Sequence, residues 1–180
     1  MKNELKIAWI AGIVSLILLI PILILSFVRE FSSLSSFLMI LYSSLSITDA
    51  IASIFFLRGF ILIGEKLKNQ FLVAISYVMI MIGIIFSIYD LFLLAYPSLE
   101  PKALDFIILF LFGIVSIFFG ISLLQLKKKF GAIAKATAIL EIITGITLAT
   151  IFLSFIGLIL IIPTTILEII ILYRAAKKYK

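Results

Sequence analysis

Six apolar runs, each 18 to 26 residues long, dominate this chain: 7–28, 34–57, 71–96, 106–126, 131–153 and 156–173. A helix needs about 20 apolar residues to cross a hydrocarbon layer of about 30 Å, and within that layer its backbone N–H and C=O groups must be bonded inside the segment. The runs therefore predict an all-α fold, a polytopic transmembrane helical bundle of six spans forming one domain over 1–180. The last two runs form one apolar stretch from Gly131 to Tyr173. As a single helix it would extend about 65 Å, twice the hydrocarbon thickness, so it must fold back. "SFIG", Ser154 to Gly157, is the expected break, since Ser and Gly relax a helix. The first run is too long for a removable signal peptide and is followed by no small-x-small cleavage site, so it reads as an uncleaved helix. Pro21 is expected to bend it.

Composition narrows the chemistry. The chain is 64% hydrophobic and 13% charged, against about 45 to 50% and about 25% for a soluble domain, which leaves almost nothing outside the bilayer. It contains no Cys and no His. Disulfides, thiolate nucleophiles, imidazole bases and His/Cys metal sites are thereby excluded, and no metal, cofactor-binding or catalytic residue is expected. No phosphate-binding glycine loop occurs, and no extramembrane segment is long enough for a nucleotide domain. The serines have no His to activate them and no Gly-x-Ser-x-Gly context. A Ser/Lys or carboxylate-only intramembrane enzyme therefore ranks third among the readings, and the chain is expected not to be an enzyme.

Charge placement tests the span count independently. With six helices, thirteen Lys and Arg residues collect at one end, and only Arg29 and Lys102 lie at the other. By the positive-inside rule both termini are then cytoplasmic and the protein is integral to the cell membrane. Five helices would strand Arg174, Lys177, Lys178 and Lys180 outside. Topology and lipid headgroups account for the net charge of +6, and no nucleic acid partner is needed. Trp9 and Tyr173 fall at the cytoplasmic boundary, and Tyr96 at the outer one before "PSLEP". "GFILIGEKLKNQ", 59–70, reads as a short amphipathic segment lying in the cytoplasmic interface.

Gly59, Leu62, Lys66 and Lys68 match Gly120, Leu123, Lys127 and Lys129, and after one insertion Ala74 and Gly83 match Ala136 and Gly145. These matches outline a parallel two-helix repeat, 34–96 and 106–153, against the plainer reading that Gly and Lys recur at every boundary of such a chain. "RGFILIGEKLKNQFLVAISYVMIMIGIIF" (58–86) and "SFIGLILIIPTTILEIIILYRAAKK" (154–178) resemble small multi-pass archaeal membrane proteins of a domain-of-unknown-function family. In that group a Gly-Phe and Gly-Glu-Lys turn precedes a Gly-containing helix and the chain ends in a basic tail. The resemblance covers 58 to 178 and implies the topology and an archaeal origin, without an activity.

Four acids fall inside the runs: Asp49, Asp90, Glu141 and Glu168. A charge at that depth costs about 2.5 to 3.5 kcal/mol on insertion scales, so each marks an ion or proton site or an interhelical polar contact. Asp49 shares a helix face with Ser43, Ser46, Ala50 and Ser53, which turns it into the bundle, and Glu141 lies between Thr137 and Thr144 or Gly145. Counted from the cytoplasmic ends of their runs, Asp49 and Glu141 lie roughly 12 and 15 Å deep and form the expected pair. Asp90 continues the Gly83 and Ser87 face near the outer boundary, and Glu168 is expected near the cytoplasmic edge and partly solvated. Small-residue pairs such as Ala8 with Gly12, Gly83 with Ser87, and Ser116 with Gly120 read as helix-packing devices.

Two readings of function remain. In the first, the chain is a non-enzymatic structural or accessory subunit, packing within the bilayer against membrane lipids, further copies of itself or a larger complex, and its acids join helices through hydrogen bonds. In the second, it is a small oligomeric proton or cation transporter or channel that uses those carboxylates.

Overall fold

The computed structural model describes residues 1–32, 34–96, 102–150 and 152–179. Seven helices follow in order: α1 (Lys2–Phe31), α2 (Ser36–Leu67), α3 (Gln70–Ala95), α4 (Lys102–Leu124), the single turn α5 (Lys127–Phe130), α6 (Ala132–Ala149) and α7 (Ser154–Lys178). All but α5 contain a segment long and apolar enough to cross a membrane, as a multi-pass membrane protein requires. Local chemistry sets the turns between them. Ser35 caps α2 by accepting from the Leu38 N–H, and Asn69 caps α3 by accepting from the Leu72 N–H. Lys68 takes a left-handed conformation, φ 55°, which lets the Asn69 N–H reach the Gly64 carbonyl at 2.8 Å and closes α2 against α3. Gly131, at φ 68° and ψ −141°, occupies a region essentially reserved for glycine and reverses the chain into α6.

The six long helices pack as a ring in chain order, each against its sequence neighbours, and α7 closes the ring against α1. Trp9 and Tyr173 meet edge to face at 5.6 Å, so both termini lie at one end. Packing is dense in that half, where Leu5, Phe60, Leu72, Leu123 and Leu172 are fully buried. Without a hydrophobic drive between helices in lipid, close approach depends on small residues. A Cβ on Gly59 would lie 2.6 Å from the Ala8 Cβ, and one on Gly113 would lie 2.6 Å from the Gly145 carbonyl oxygen. At the opposite end the buried apolar cluster shrinks to Leu25, Tyr42 and Leu94, supported by partly buried neighbours.

Two expectations shift. Segment 59–67 is not a separate short segment: α2 continues unbroken to Leu67, with Phe60, Ile61, Ile63 and Gly64 buried. Gly59 is there for close approach to α1 and α7, and does not mark a helix end. α6 ends at Ala149 and Ser154 opens α7, so the chain reverses a few residues earlier than "SFIG". Pro21 lies within a continuous α1. "PSLEP" (97–101) and the side chain of Lys102 lie outside the described residues.

Candidate functional site

The ring encloses a cavity of about 350 Å³, to which all six long helices contribute. Three of the four singled-out acids line it: Asp49 from α2, Glu141 from α6 and Glu168 from α7. Hydroxyls from Ser15, Ser53, Ser87, Ser116, Thr144, Thr164 and Thr165 complete its polar surface. Among the described residues no Lys or Arg lines it, and Lys135, the nearest basic residue to Glu141 along α6, is exposed. The wall is therefore acidic with no built-in counter-charge.

Glu141 and Glu168 are each only 6% exposed. They face one another between α6 and α7, closely enough to interact electrostatically. Ser116 of α4 lines the cavity with them. Glu168 has no hydrogen-bond partner among the described residues, although it lines the cavity. Two of the neighbouring threonines donate to the backbone of their own helices: Thr144 to the Leu140 carbonyl at 2.9 Å and Thr164 to the Leu160 carbonyl at 2.7 Å.

Asp49 occupies a different level. Its Oδ1 accepts from the Ser15 hydroxyl at 2.5 Å, and Ser15 lies 3.3 Å from Ser53. Gly12 registers α1 against Phe56 and Ile169, since a Cβ there would lie within 3 Å of both side chains. Ile169 adjoins Glu168, and Asp49 precedes Phe56 by seven residues. At 1.5 Å per residue, Asp49 then sits about 10 Å farther from the terminal end than Glu168. Beneath the cavity, on the side of the termini, Phe56, Phe60 and Phe119 stack edge to face at 5.6 and 5.2 Å. Phe86 of α3 stacks on Phe112 of α4 at 5.6 Å along one wall.

Asp90 belongs to a separate cluster near the end opposite the termini. Arg29 Nη1 donates to its Oδ1 at 2.8 Å and Tyr42 donates to its Oδ2 at 2.6 Å. The Arg29 guanidinium lies 5.8 Å from the Tyr42 ring centroid, and Ser26 sits 3.2 Å from the Tyr42 hydroxyl. This carboxylate is paired with a cation and ties α1, α2 and α3 together.

The expected pairing of Asp49 with Glu141 is thus replaced by Glu141 with Glu168. Depth counted from Leu57 placed Asp49 too near the cytoplasmic edge, because α2 extends ten residues beyond that boundary. Glu168 is buried where partial solvation was expected, since α7 continues ten residues beyond it to Lys178 and its inner face packs on α1 and α6. Ser15 was not singled out as a partner of Asp49. The signal for Ser15 was its position three residues after Gly12 and seven after Ala8, on the face that meets α2. Of the proposed packing pairs, Gly12 and Gly120 are in tight contact, but a Cβ on Gly83 would meet nothing within 4 Å, and that residue lines the cavity instead.

Among the described residues no three acids converge closely enough to hold a metal ion. The arrangement offers an acidic surface spread over two levels, with an uncommitted carboxyl at the inner one. No family model, no curated protein and no solved structure matches this chain.

Proposed function

We propose that the protein is a small non-enzymatic transporter or channel that carries protons or cations through the carboxylate-lined cavity. It would sit in the cell membrane with both termini in the cytoplasm, as the basic residues gathered at the terminal end favour. One observation carries this reading: Glu168 is buried, lines the cavity beside Glu141, and has neither a hydrogen-bond donor nor a cation among the described residues. A buried acid that merely joins helices is expected to bond to its neighbour, because an unmet polar group in an apolar setting costs about 1 to 3 kcal/mol. Asp49 and Asp90 fit that joining role through Ser15 and through Arg29 with Tyr42. Glu168 does not, which moves the balance from an accessory subunit toward a carrier.

The test is flux in liposomes reconstituted with purified protein and loaded with a pH-sensitive dye, repeated with potassium and sodium gradients under an imposed potential. We expect flux from the wild type and its loss in Glu141→Gln with Glu168→Gln, with helical content unchanged by circular dichroism. Wild-type vesicles as tight as empty ones under every gradient would return the acids to helix joining and the protein to the accessory role.

A further inference from the structure

Building on the carrier reading, we infer that the cavity takes an amphipathic organic monocation, its charged head at Glu168 and Glu141 and its apolar body against the phenylalanine walls. Size is the first argument. A proton needs no cavity, and a water-sized ion needs about 30 Å³, whereas the space here is about 350 Å³. That volume lies in the range of about 300 to 1,000 Å³ typical of sites for small organic ligands. The second argument is coordination. Hard divalent ions demand six or more oxygens in a compact shell, yet no three acids converge among the described residues. An elongated cation with a localised charge tolerates such a spread.

The third argument is the wall between the acids. Phe56, Phe86, Phe112 and Phe119 line the cavity together with Leu19 and Met79. Aromatic faces attract organic cations and also receive apolar groups, a combination that suits quaternary and aromatic ammonium compounds. Glu168, 6% exposed, unbonded among the described residues and lining the cavity, supplies an acceptor for an ammonium head. Among the described residues no Lys or Arg in the lining competes with it. At Gly83 the α3 wall carries no side chain, and the next residue, Ile84, both lines the cavity and is exposed. That stretch of α3 gives a ligand dissolved in the lipid a lateral way in.

Equilibrium dialysis of the detergent-purified full chain against radiolabelled phenyltrimethylammonium tests the inference. We expect saturable binding of one cation per chain, weakened at least tenfold in Glu168→Gln, and no competition from tert-butylbenzene, the uncharged isostere. Gly83→Leu, which projects a side chain from the open α3 wall, should weaken binding with every acid intact. Absence of saturable binding, or binding as tight as the wild type in Glu168→Gln or in Gly83→Leu, would overturn the inference. Carboxylate-dependent proton or sodium flux in a protein that binds no phenyltrimethylammonium would leave the carrier reading standing and remove only the organic substrate.

Discussion

Two glycine-to-alanine changes should move stability in opposite directions. A Cβ on Gly145 would lie 2.6 Å from the Gly113 carbonyl oxygen and 2.8 Å from the Ile117 backbone nitrogen, where ordinary contact begins at 3.4 Å. Both neighbours are backbone atoms that cannot rotate aside, so α4 must withdraw by nearly an ångström along the crossing that also seats Gly120 against Ile142. Overpacking of this kind costs about 1 to 3 kcal/mol. Taking the upper end and subtracting about 1 kcal/mol for the better helix propensity of Ala, Gly145→Ala should destabilise by about 2 kcal/mol, roughly thirtyfold in the folding equilibrium. Gly83 presents the opposite case, because an added Cβ meets nothing within 4 Å. Gly83→Ala should keep the propensity gain and stabilise by up to about 1 kcal/mol. The chain's one tryptophan, Trp9, in contact with Tyr173 where the ring closes, reports unfolding by fluorescence in detergent. A midpoint for Gly145→Ala at or above the wild type, or a fall for Gly83→Ala as large as that for Gly145→Ala, would refute the packing argument.

Other expectations follow from the polar contacts and the topology. Tyr42→Phe removes the donor to Asp90 Oδ2; a hydrogen bond to a charged group contributes about 1.5 to 3 kcal/mol, and partial exposure favours the lower figure, readable as a lowered thermal midpoint. Ser15→Ala should cost about 1.5 kcal/mol by stripping Asp49 of its donor, while Ser15→Ala with Asp49→Leu should be more stable than Ser15→Ala alone. A double-mutant cycle on Ser15 and Asp49 measures that coupling, and additive effects would dismiss it. Because the sequence lacks cysteine, Lys178→Cys and Phe152→Cys can each be labelled with an impermeant maleimide in intact cells. Label should reach only position 152, and the reverse pattern would invert the orientation.

Much of the fold was written in run length, since the hydrocarbon layer fixes how many apolar residues a span needs. The bounds of α2 were not, and the cause is instructive. Arg58 and Gly59 together resemble the end of a membrane helix. Arg58 is instead an exposed residue that pairs with Glu4 at 3.1 Å, and Gly59 is required by the nearness of Ala8 and Leu172. One dipeptide thus serves two neighbours that sequence order does not reveal. Helical periodicity correctly turned Asp49 and Glu141 inward, because direction around a helix is a local property. Which acid Glu141 meets depends on the axial register of α6 against α7 and α2, and that register is set by contacts such as Gly157 on Leu148 and Gly12 on Phe56. Run lengths carry no information about such offsets, so Glu168 was misread as peripheral.

The ring order of the helices has a consequence for how the protein is made. Each helix entering the bilayer finds its neighbour already there, so α1 with α2, α2 with α3, α3 with α4 and α4 with α6 can pair during synthesis through contacts between sequence neighbours, the kind that form fast. One seam breaks that sequence: α1 must wait for α7, more than 120 residues later, to cover Leu5, Ala8 and Gly12. Until then the acids of α2 and α6 border an unclosed groove reachable by lipid or by an insertion factor. Biogenesis therefore has a single late checkpoint, the docking of α7, and the helix that completes the wall also delivers Glu168.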